Sequence, residues 1–272
     1  MSEYINQVKL VVVDLDDTLL RRDKSISEYT VGVFRRLRWR GVLTAFATSR
    51  SAPASARFRS IITPDIDITS GGAIATMNGE VIFRAAIGAD IANAILNDLR
   101  ACEDVLQITA DTEWHYFNSK PVDPSWAGWI DYADAVTTDF SKPLQVPDVY
   151  KITPNITNAE ALSSIVAKYP DVDALRFTGE DWYQIKSRKA AKHIAVAEVC
   201  KRLGISMDAV AAFGDDHNDV GMLRACGVGV AMGNAIRECV AAAGHVCGDC
   251  DDDGVACWIE ANLSCNKNKN IV

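Results

Sequence analysis

Two carboxylates one residue apart, Asp14 and Asp16, follow directly on the apolar run Leu10-Val11-Val12-Val13, and a third, Asp17, comes next. Like charges held this close repel unless a cation lies between them or one of them carries a proton. Both conditions suit phosphoryl transfer, in which one carboxylate attacks phosphorus beside a divalent ion and the other moves a proton. A second acidic group, Gly214-Asp215-Asp216-His217-Asn218-Asp219, follows another apolar run, Ala209 to Phe213. Its Gly-Asp-x-x-Asn-Asp pattern is rare by chance, so it is a specific signal. Thr48 adds a hydroxyl and Lys192 an ammonium. Taken singly these two weigh little, since a lysine on a helix is ordinarily solvated. Asp-Asp is also a common turn element, so the first group gains its meaning from the others.

The elements that must position these residues can be read from the apolar pattern. Leu10 to Val13 has the composition of a strand buried on both faces of a parallel sheet. Alternation along a strand would then put Asp14 and Asp16 on one side, just beyond the strand's carboxyl end, where ligand sites of open α/β sheets lie. Ser25 and Glu28 have capping-box spacing for a helix running to about Arg40, with Val31, Phe34 and Leu37 on one face and Gly41 as its stop. A strand from Val42 to Ala47 delivers Thr48-Ser49-Arg50. Ile66 to Thr69 forms a third strand ending in Ser70-Gly71-Gly72, and Ile74 to Phe83 reads as a hairpin around Asn78-Gly79.

From about Ala86 to Ile185 the texture changes. A helix from Asp90 to Cys102 is followed by short strands (Val105 to Thr109, Trp114 to Phe117, Tyr150 to Thr153). A second helix (Ala159 to Lys168) and a hairpin (Leu175 to Thr178 with Trp182 to Ile185) complete the segment. Trp126 and Trp129 read as packing residues. Alternation then resumes, with a helix from Ala190 to Leu203, strands at Ala209 to Phe213 and Val228 to Met232, and helices at Ala235 to Ala243 and after Gly254. The expected fold is therefore α/β, a Rossmann-like doubly wound parallel sheet formed by 1–85 and 186–272, with an inserted α+β domain at 86–185. The chemistry-bearing residues fall at one edge of the sheet.

Composition narrows the function. The 272 residues are 49% apolar and 24% charged, ordinary for a globular chain with a full core. A formal charge of −8 leaves no basic stripe for nucleic acid, and an anionic substrate would need local cations. No apolar run approaches the ~20 residues that cross a bilayer. Met1-Ser2-Glu3-Tyr4 lacks the basic start of a signal peptide, so the expected location is cytoplasmic. The eight cysteines then read as reduced thiols. Cys247-Gly-Asp-Cys250 has metal or redox spacing but lacks a second ligand pair, which favours loop and core thiols.

Together these residues resemble the four motifs of the haloacid dehalogenase superfamily of phosphohydrolases. Asp14-Leu15-Asp16-Asp17-Thr18-Leu19 is similar to motif I, Thr48-Ser49-Arg50 to motif II, Lys192 to motif III, and Gly214 to Asp219 to motif IV. Val230-Ala231-Met232-Gly233-Asn234-Ala235 and Asp252-Asp253-Gly254-Val255 resemble the C-terminal signature of the Cof-type branch with a C2B cap. Asp17 stands where Gly is commoner, Ser49 replaces a Gly, and Ser70-Gly71-Gly72 replaces a more usual Asn-Gly-Ala.

The resemblance implies a Mg²⁺-dependent phosphatase acting on small phosphorylated metabolites such as sugar phosphates. Asp14 would be the nucleophile and Asp16 the general acid and base. Asp14, the Asp16 carbonyl and Asp215 would hold Mg²⁺, with Asp219 orienting its waters. Thr48 and Lys192 would neutralise the phosphoryl oxygens, with Ser49, Arg50 and Asn218 as further substrate contacts. A cap of about a hundred residues would choose the leaving group. Two other readings use the same residues: a phosphomutase that returns the phosphoryl group to a sugar, and a signalling or binding module that only receives one. Neither oligomeric state nor the particular substrate is legible.

Overall fold

The computed structural model describes residues 7–113, 115–121 and 135–263. Trp126 and Trp129 lie outside them, as does Trp114. The chain forms two compact units. One comprises 1–49, 58–83 and 191–272; the other comprises 50–57 and 84–190.

The first unit is built on eight strands. Five precede the insertion: β1 (Leu10–Val13), β2 (Leu43–Ala47), β3 (Ile66–Thr69), β4 (Ile74–Met77) and β5 (Glu80–Arg84). Three follow it, β14 (Val210–Gly214), β15 (Val228–Ala231) and β16 (His245–Val246), and the sheet order is β16-β15-β14-β1-β2-β3-β4-β5. Strands β16 to β3 run parallel, with Leu10 opposite Val210 on one side and Leu43 on the other. β4 turns back antiparallel on β3, then enters β5 through Asn78 and Gly79, both with positive φ (51° and 80°). The Asn-Gly pair suits that turn because neither residue resists the left-handed region.

Every residue of β1 is fully buried, and its side chains divide by alternation. Val11 and Val13 face a core formed with α1 (Glu28–Trp39) and α8 (Gly254–Leu263), through Phe34, Leu37, Trp258 and Ile259. Leu10 and Val12 face the opposite core, with Ala195, Val196 and Val199 of α5 (Lys192–Leu203) and Met222 and Leu223 of α6 (Val220–Ala225). This is the doubly wound architecture. Two short pieces complete the unit's helices, α7 (Arg237–Ala242) and the C-terminal part of α2 (Ala52–Ile62).

The second unit carries a six-stranded sheet of order β12-β13-β11-β7-β8-β9. Its strands are β7 (Val105–Asp111), β8 (Tyr116–Asn118), β9 (Ala135–Thr137), β11 (Lys151–Ile156), β12 (Val172–Arg176) and β13 (Tyr183–Ser187). Neighbours run antiparallel except β8 with β9. β6 (Ile87–Gly88) and β10 (Asp148–Val149) form a separate small ladder. Helices α3 (Ala89–Arg100) and α4 (Ala159–Val166) cover one sheet face through Ile95, Leu99, Leu162 and Ile165, packed on Ile108, Ile152 and Ile185.

Two local expectations are corrected, and one helix is added to them. α1 is capped by Ser27, whose Oγ accepts from the Thr30 N–H at 3.0 Å, rather than by Ser25. α2 was not legible as a helix. β1 ends at Val13, so Asp16 is placed not by strand alternation but by the irregular helical turn Leu15–Leu19, in which Asp17 adopts φ 53°. Among the described residues no helix is long and apolar enough to cross a membrane.

Candidate active site

Asp14 continues the face of Leu10 and Val12, the side on which α5 packs, and this brings it to Lys192 at the first position of that helix. The Lys192 ammonium donates to Asp14 Oδ1 at 2.6 Å and to Asp219 Oδ1 at 2.7 Å. All three groups are buried, with Lys192 2% exposed. A buried lysine would normally be pushed toward its neutral form. Here burial does pull in that direction, but the Asp14 and Asp219 carboxylates outweigh it and hold the ammonium firmly charged.

The close approach needs two glycines. A Cβ on Gly214 would come within 2.4 Å of the Asp219 side chain, so only glycine lets the end of β14 lie against that carboxylate. Asp219 then uses Oδ2 to accept from the backbone N–H groups of Asp215 (3.2 Å) and Asp216 (3.3 Å), and Asp216 completes a reciprocal cap on the 217–219 turn. Asp219 thereby fastens both Lys192 and the loop that carries Asp215. Gly72 has φ 92° and lies so near the start of α5 that a Cβ would sit 2.4 Å from the Ala191 carbonyl carbon. It belongs to a left-handed turn with Ser70 (φ 50°) and Gly71 (φ 68°), tied to Thr48 by the Gly71 N–H bond to the Thr48 carbonyl at 3.0 Å.

Asp215 stands opposite Asp14, and one carboxylate oxygen from each of Asp14, Asp215 and Asp219 falls within 4.8 Å of the others. Burial drives the Asp215 carboxyl up to about 7, the Asp219 charge adds to that, and the Thr18 hydroxyl pulls the other way by donating to Oδ1 at 2.6 Å. Asp14 is likewise held well above the ordinary carboxylate range, first by burial; the Lys192 ammonium opposes this, while Asp219, Asp215 and Asp16 reinforce it. Three carboxylates and one ammonium give the cluster a formal charge of −2 when ionised. An all-oxygen donor set with that charge fits a hard divalent cation.

The remaining residues singled out in the sequence are placed as follows. Thr48 is buried at the end of β2, its N–H bonded to the Ile68 carbonyl. Ser49 Oγ accepts from Asn218 Nδ2 at 3.1 Å, which ties the end of β2 to the acidic loop after β14. Arg50 groups with the second unit, and its Nη1 donates to the Ala54 carbonyl at 3.4 Å. Asp16 is paired with Lys24, whose Nζ lies 3.1 Å from Asp16 Oδ1 and 3.2 Å from Asp17 Oδ1. Asn234 links the two ends of the chain, donating to the Asp17 carbonyl at 2.7 Å and accepting from the Cys250 N–H at 3.0 Å.

Residues to which the sequence alone gave no task are thus Thr18, Lys24, Gly72 and Asp216. Thr18 and Asp216 stood inside the quoted motifs. Lys24 and Gly72 carried no signal beyond a charge in a turn and a glycine pair.

The seven cysteines among the described residues are free thiols. Asp249, Cys250 and Asp251 could converge on an ion, but Arg22 spans both carboxylates: its Nη1 and Nη2 bond Asp249 at 3.0 and 2.9 Å, and Nη1 also bonds Asp251. That acidic turn already holds its cation.

The sequence and the fold both have relatives among known proteins. The family model described as haloacid dehalogenase-like hydrolase matches residues 11–259. The HMP-PP phosphatase of Cronobacter sakazakii is 28% identical over 259 residues, covering 92% of this chain and 94% of that protein. Among solved structures, a haloacid dehalogenase-like hydrolase from Bacillus subtilis superposes with a TM-score of 0.81 at 23% identity, over 93% of this chain and 99% of that one. A sugar phosphatase of haloacid dehalogenase subclass IIB gives 0.78, also at 23%, over 93% and 98%. At these identities the structural likeness speaks for the fold.

Proposed function

Because this chain belongs to the haloacid dehalogenase-like hydrolase family, we propose that it is a Mg²⁺-dependent phosphatase of small phosphorylated metabolites, of the sugar-phosphate class, working through an aspartyl-phosphate on Asp14. The observation that carries the reading is the Lys192 ammonium bridging Asp14 and Asp219 with the Asp215 carboxylate beside them. Residues 14, 192, 215 and 219 meet at one point, as a nucleophile, its counter-charge and an ion site must.

In the first half-reaction an Asp14 oxygen attacks phosphorus. The Asp14 O–P bond forms, the bond to the leaving oxygen breaks, and the Asp16 carboxyl gives that oxygen its proton. In the second, water attacks phosphorus while Asp16 takes its proton, and Asp14 departs as carboxylate. The Lys192 ammonium orients Asp14 and favours its ionised form, opposing the burial that raises this carboxyl. Thr48, Lys192 and loop N–H groups are the donors for the phosphoryl oxygens, where most catalysis of phosphoryl transfer lies. Ser49 and Asn218 are assigned to the outer phosphate contacts. Asp14, Asp215 and the Asp16 carbonyl would hold the ion, with Asp219 behind them for its waters. When bound, the ion neutralises charge on the attacking and phosphoryl oxygens.

The substrate class draws on the relatives, one named as an HMP-PP phosphatase and one as a sugar phosphatase. A phosphate-release screen across sugar phosphates and other phosphorylated metabolites, with and without EDTA, tests the whole reading. Release from at least one sugar phosphate, abolished by EDTA and restored by Mg²⁺, is the expected result. Release that ignores EDTA would overturn the ion, and no release from any substrate would overturn the activity.

A further inference from the structure

We infer that Lys24 is a positioning residue for the Asp16 carboxylate, fixing where the leaving-group proton is delivered; this rests on the reading of Asp16 as general acid. Asp16 sits in no regular element. Its backbone (φ −69°, ψ 130°) breaks the turn after β1, and its side chain is 37% exposed. The Lys24 ammonium meets it there. Its side chain is only 9% exposed and lies against Asp16 Oδ1 and Asp17 Oδ1 together. Burial alone would disfavour that charge, and the two carboxylates reverse the balance.

The loop from Arg21 to Ser25 is shaped to aim this lysine. The Arg21 N–H bonds the Ser25 carbonyl at 3.1 Å, the Lys24 N–H bonds the Arg21 carbonyl at 2.8 Å, and Asp23 Oδ1 accepts from the Ser25 N–H at 2.8 Å. Lys24 itself takes the left-handed conformation, φ 63°, which a side chain resists and which folds the lysine back toward the turn. On the other side of the loop two arginines pull outward. Arg21 donates to Asp253 at 2.8 Å, while Arg22 binds Asp249 and Asp251 through its side chain and Asp251 again through its N–H at 3.0 Å. The loop is thus anchored outward on the acidic turn before α8 and inward on Asp16.

Lys24 Nζ lies 3.1 Å from Asp16 Oδ1, so it fixes the carboxyl group at a known place beside the reacting centre. In the step it serves, the bond from phosphorus to the leaving oxygen breaks, the Asp14 O–P bond forms, and the proton passes from Asp16 to the leaving oxygen. A leaving group that is stable as an anion needs no such proton. This makes the role measurable.

The test compares kcat/KM for glycerol 2-phosphate, an alkyl ester, with that for p-nitrophenyl phosphate, at saturating Mg²⁺, in Lys24→Met, Lys24→Arg, Asp16→Asn and the double variant. A displacement of about 1 Å in a catalytic group costs on the order of 100-fold. Lys24→Met is therefore expected to lose roughly 10- to 100-fold on the alkyl ester and less than about 3-fold on the aryl ester. Lys24→Arg should restore most of the loss, and Asp16→Asn with Lys24→Met should be no worse than Asp16→Asn alone. If Asp16→Asn shows the leaving-group dependence and Lys24→Met lowers both esters equally, or neither, the inference about Lys24 falls by itself. If Asp16→Asn shows no such dependence, the reading of Asp16 falls and takes this one with it. Thermal unfolding of each variant identifies a loss that comes from misfolding, which would hit both esters alike.

Discussion

Replacing Thr18 by valine removes one atom of consequence and keeps the shape of the side chain. Thr18 is 2% exposed, and its hydroxyl gives Asp215 Oδ1 a hydrogen bond of 2.6 Å. A hydrogen bond to a charged group contributes about 1.5–3 kcal/mol, and each 1.36 kcal/mol is tenfold in an equilibrium. Losing it should weaken divalent-ion binding roughly 10- to 100-fold, the range typical of groups that orient a metal ligand. The sign with pH follows from the same bond. Burial already pushes the Asp215 carboxyl up to about 7, and the Thr18 donor, together with the Lys192 charge, restrains it. Without that donor the carboxyl holds its proton to higher pH, so the proton competes more strongly with the ion. The deficit should be larger at pH 6 than at pH 8.5. Calorimetric titration of Mg²⁺ or Mn²⁺ into wild type, Thr18→Val and Thr18→Ser measures it, with serine expected to recover most of the affinity. Turnover at saturating ion should change by less than about fivefold. An ion affinity unchanged within twofold in the valine variant would refute the assignment of Asp215 and the reasoning about its donor.

The other expectations are shorter. Asp14→Asn should lose at least ~10³-fold in turnover, because a nucleophile acts as part of a cooperative set; steady-state phosphate release measures it, and near wild-type activity would remove Asp14 from its role. Gly72→Ala forces a Cβ to 2.4 Å from the Ala191 carbonyl carbon at a residue with φ 92°, and backbone there has no room to yield. We expect a destabilisation of about 1–3 kcal/mol together with a fall in turnover as Lys192 shifts, read by thermal unfolding and by kinetics. Asp67→Asn should do the reverse. Burial raises this carboxyl from 3.8 to about 6 against the pull of Arg59, whose Nη1 lies 3.7 Å away. The folded state therefore holds the proton more tightly than the unfolded one, and stability falls as pH rises from about 4 through 6. At pH 7 the neutral amide should gain about 1–2 kcal/mol, roughly 3–6 °C in Tm, and at pH 4 the gain should vanish.

Much of this molecule was legible because its cues are local. The run Leu10 to Val13 could only be a strand covered on both faces, and Asn78-Gly79 could only be a tight turn; the structure has both. The quartet Asp14, Lys192, Asp215 and Asp219 was legible because each follows or begins an element whose end points to one sheet edge. Other features had no such cue. α2 begins Ala52-Pro53-Ala54 and mixes alanine, serine and arginine, so its apolar period is faint, although proline in a first turn is acceptable. Pro154 hid the continuation of β11 to Ile156, since proline argues against an interior strand; here the ladder shifts between Asn155 and Ile156. Asp16 was misplaced by extending the strand's alternation past its last hydrogen-bonded residue. The Lys24 contact depends on a left-handed backbone, which a lysine, unlike glycine or asparagine, does not announce.

The position of β1 bears on how the chain comes to fold. Its two ladder partners are β2, about thirty residues away, and β14, two hundred residues away, so Leu10 meets Val210 only after all the residues between them exist. Contacts between such distant segments form late and expose sticky edges meanwhile. During synthesis the stretch 84–190 emerges as an almost self-sufficient piece and can condense first. Strand β1 must then wait, half-partnered, until β14 has been made.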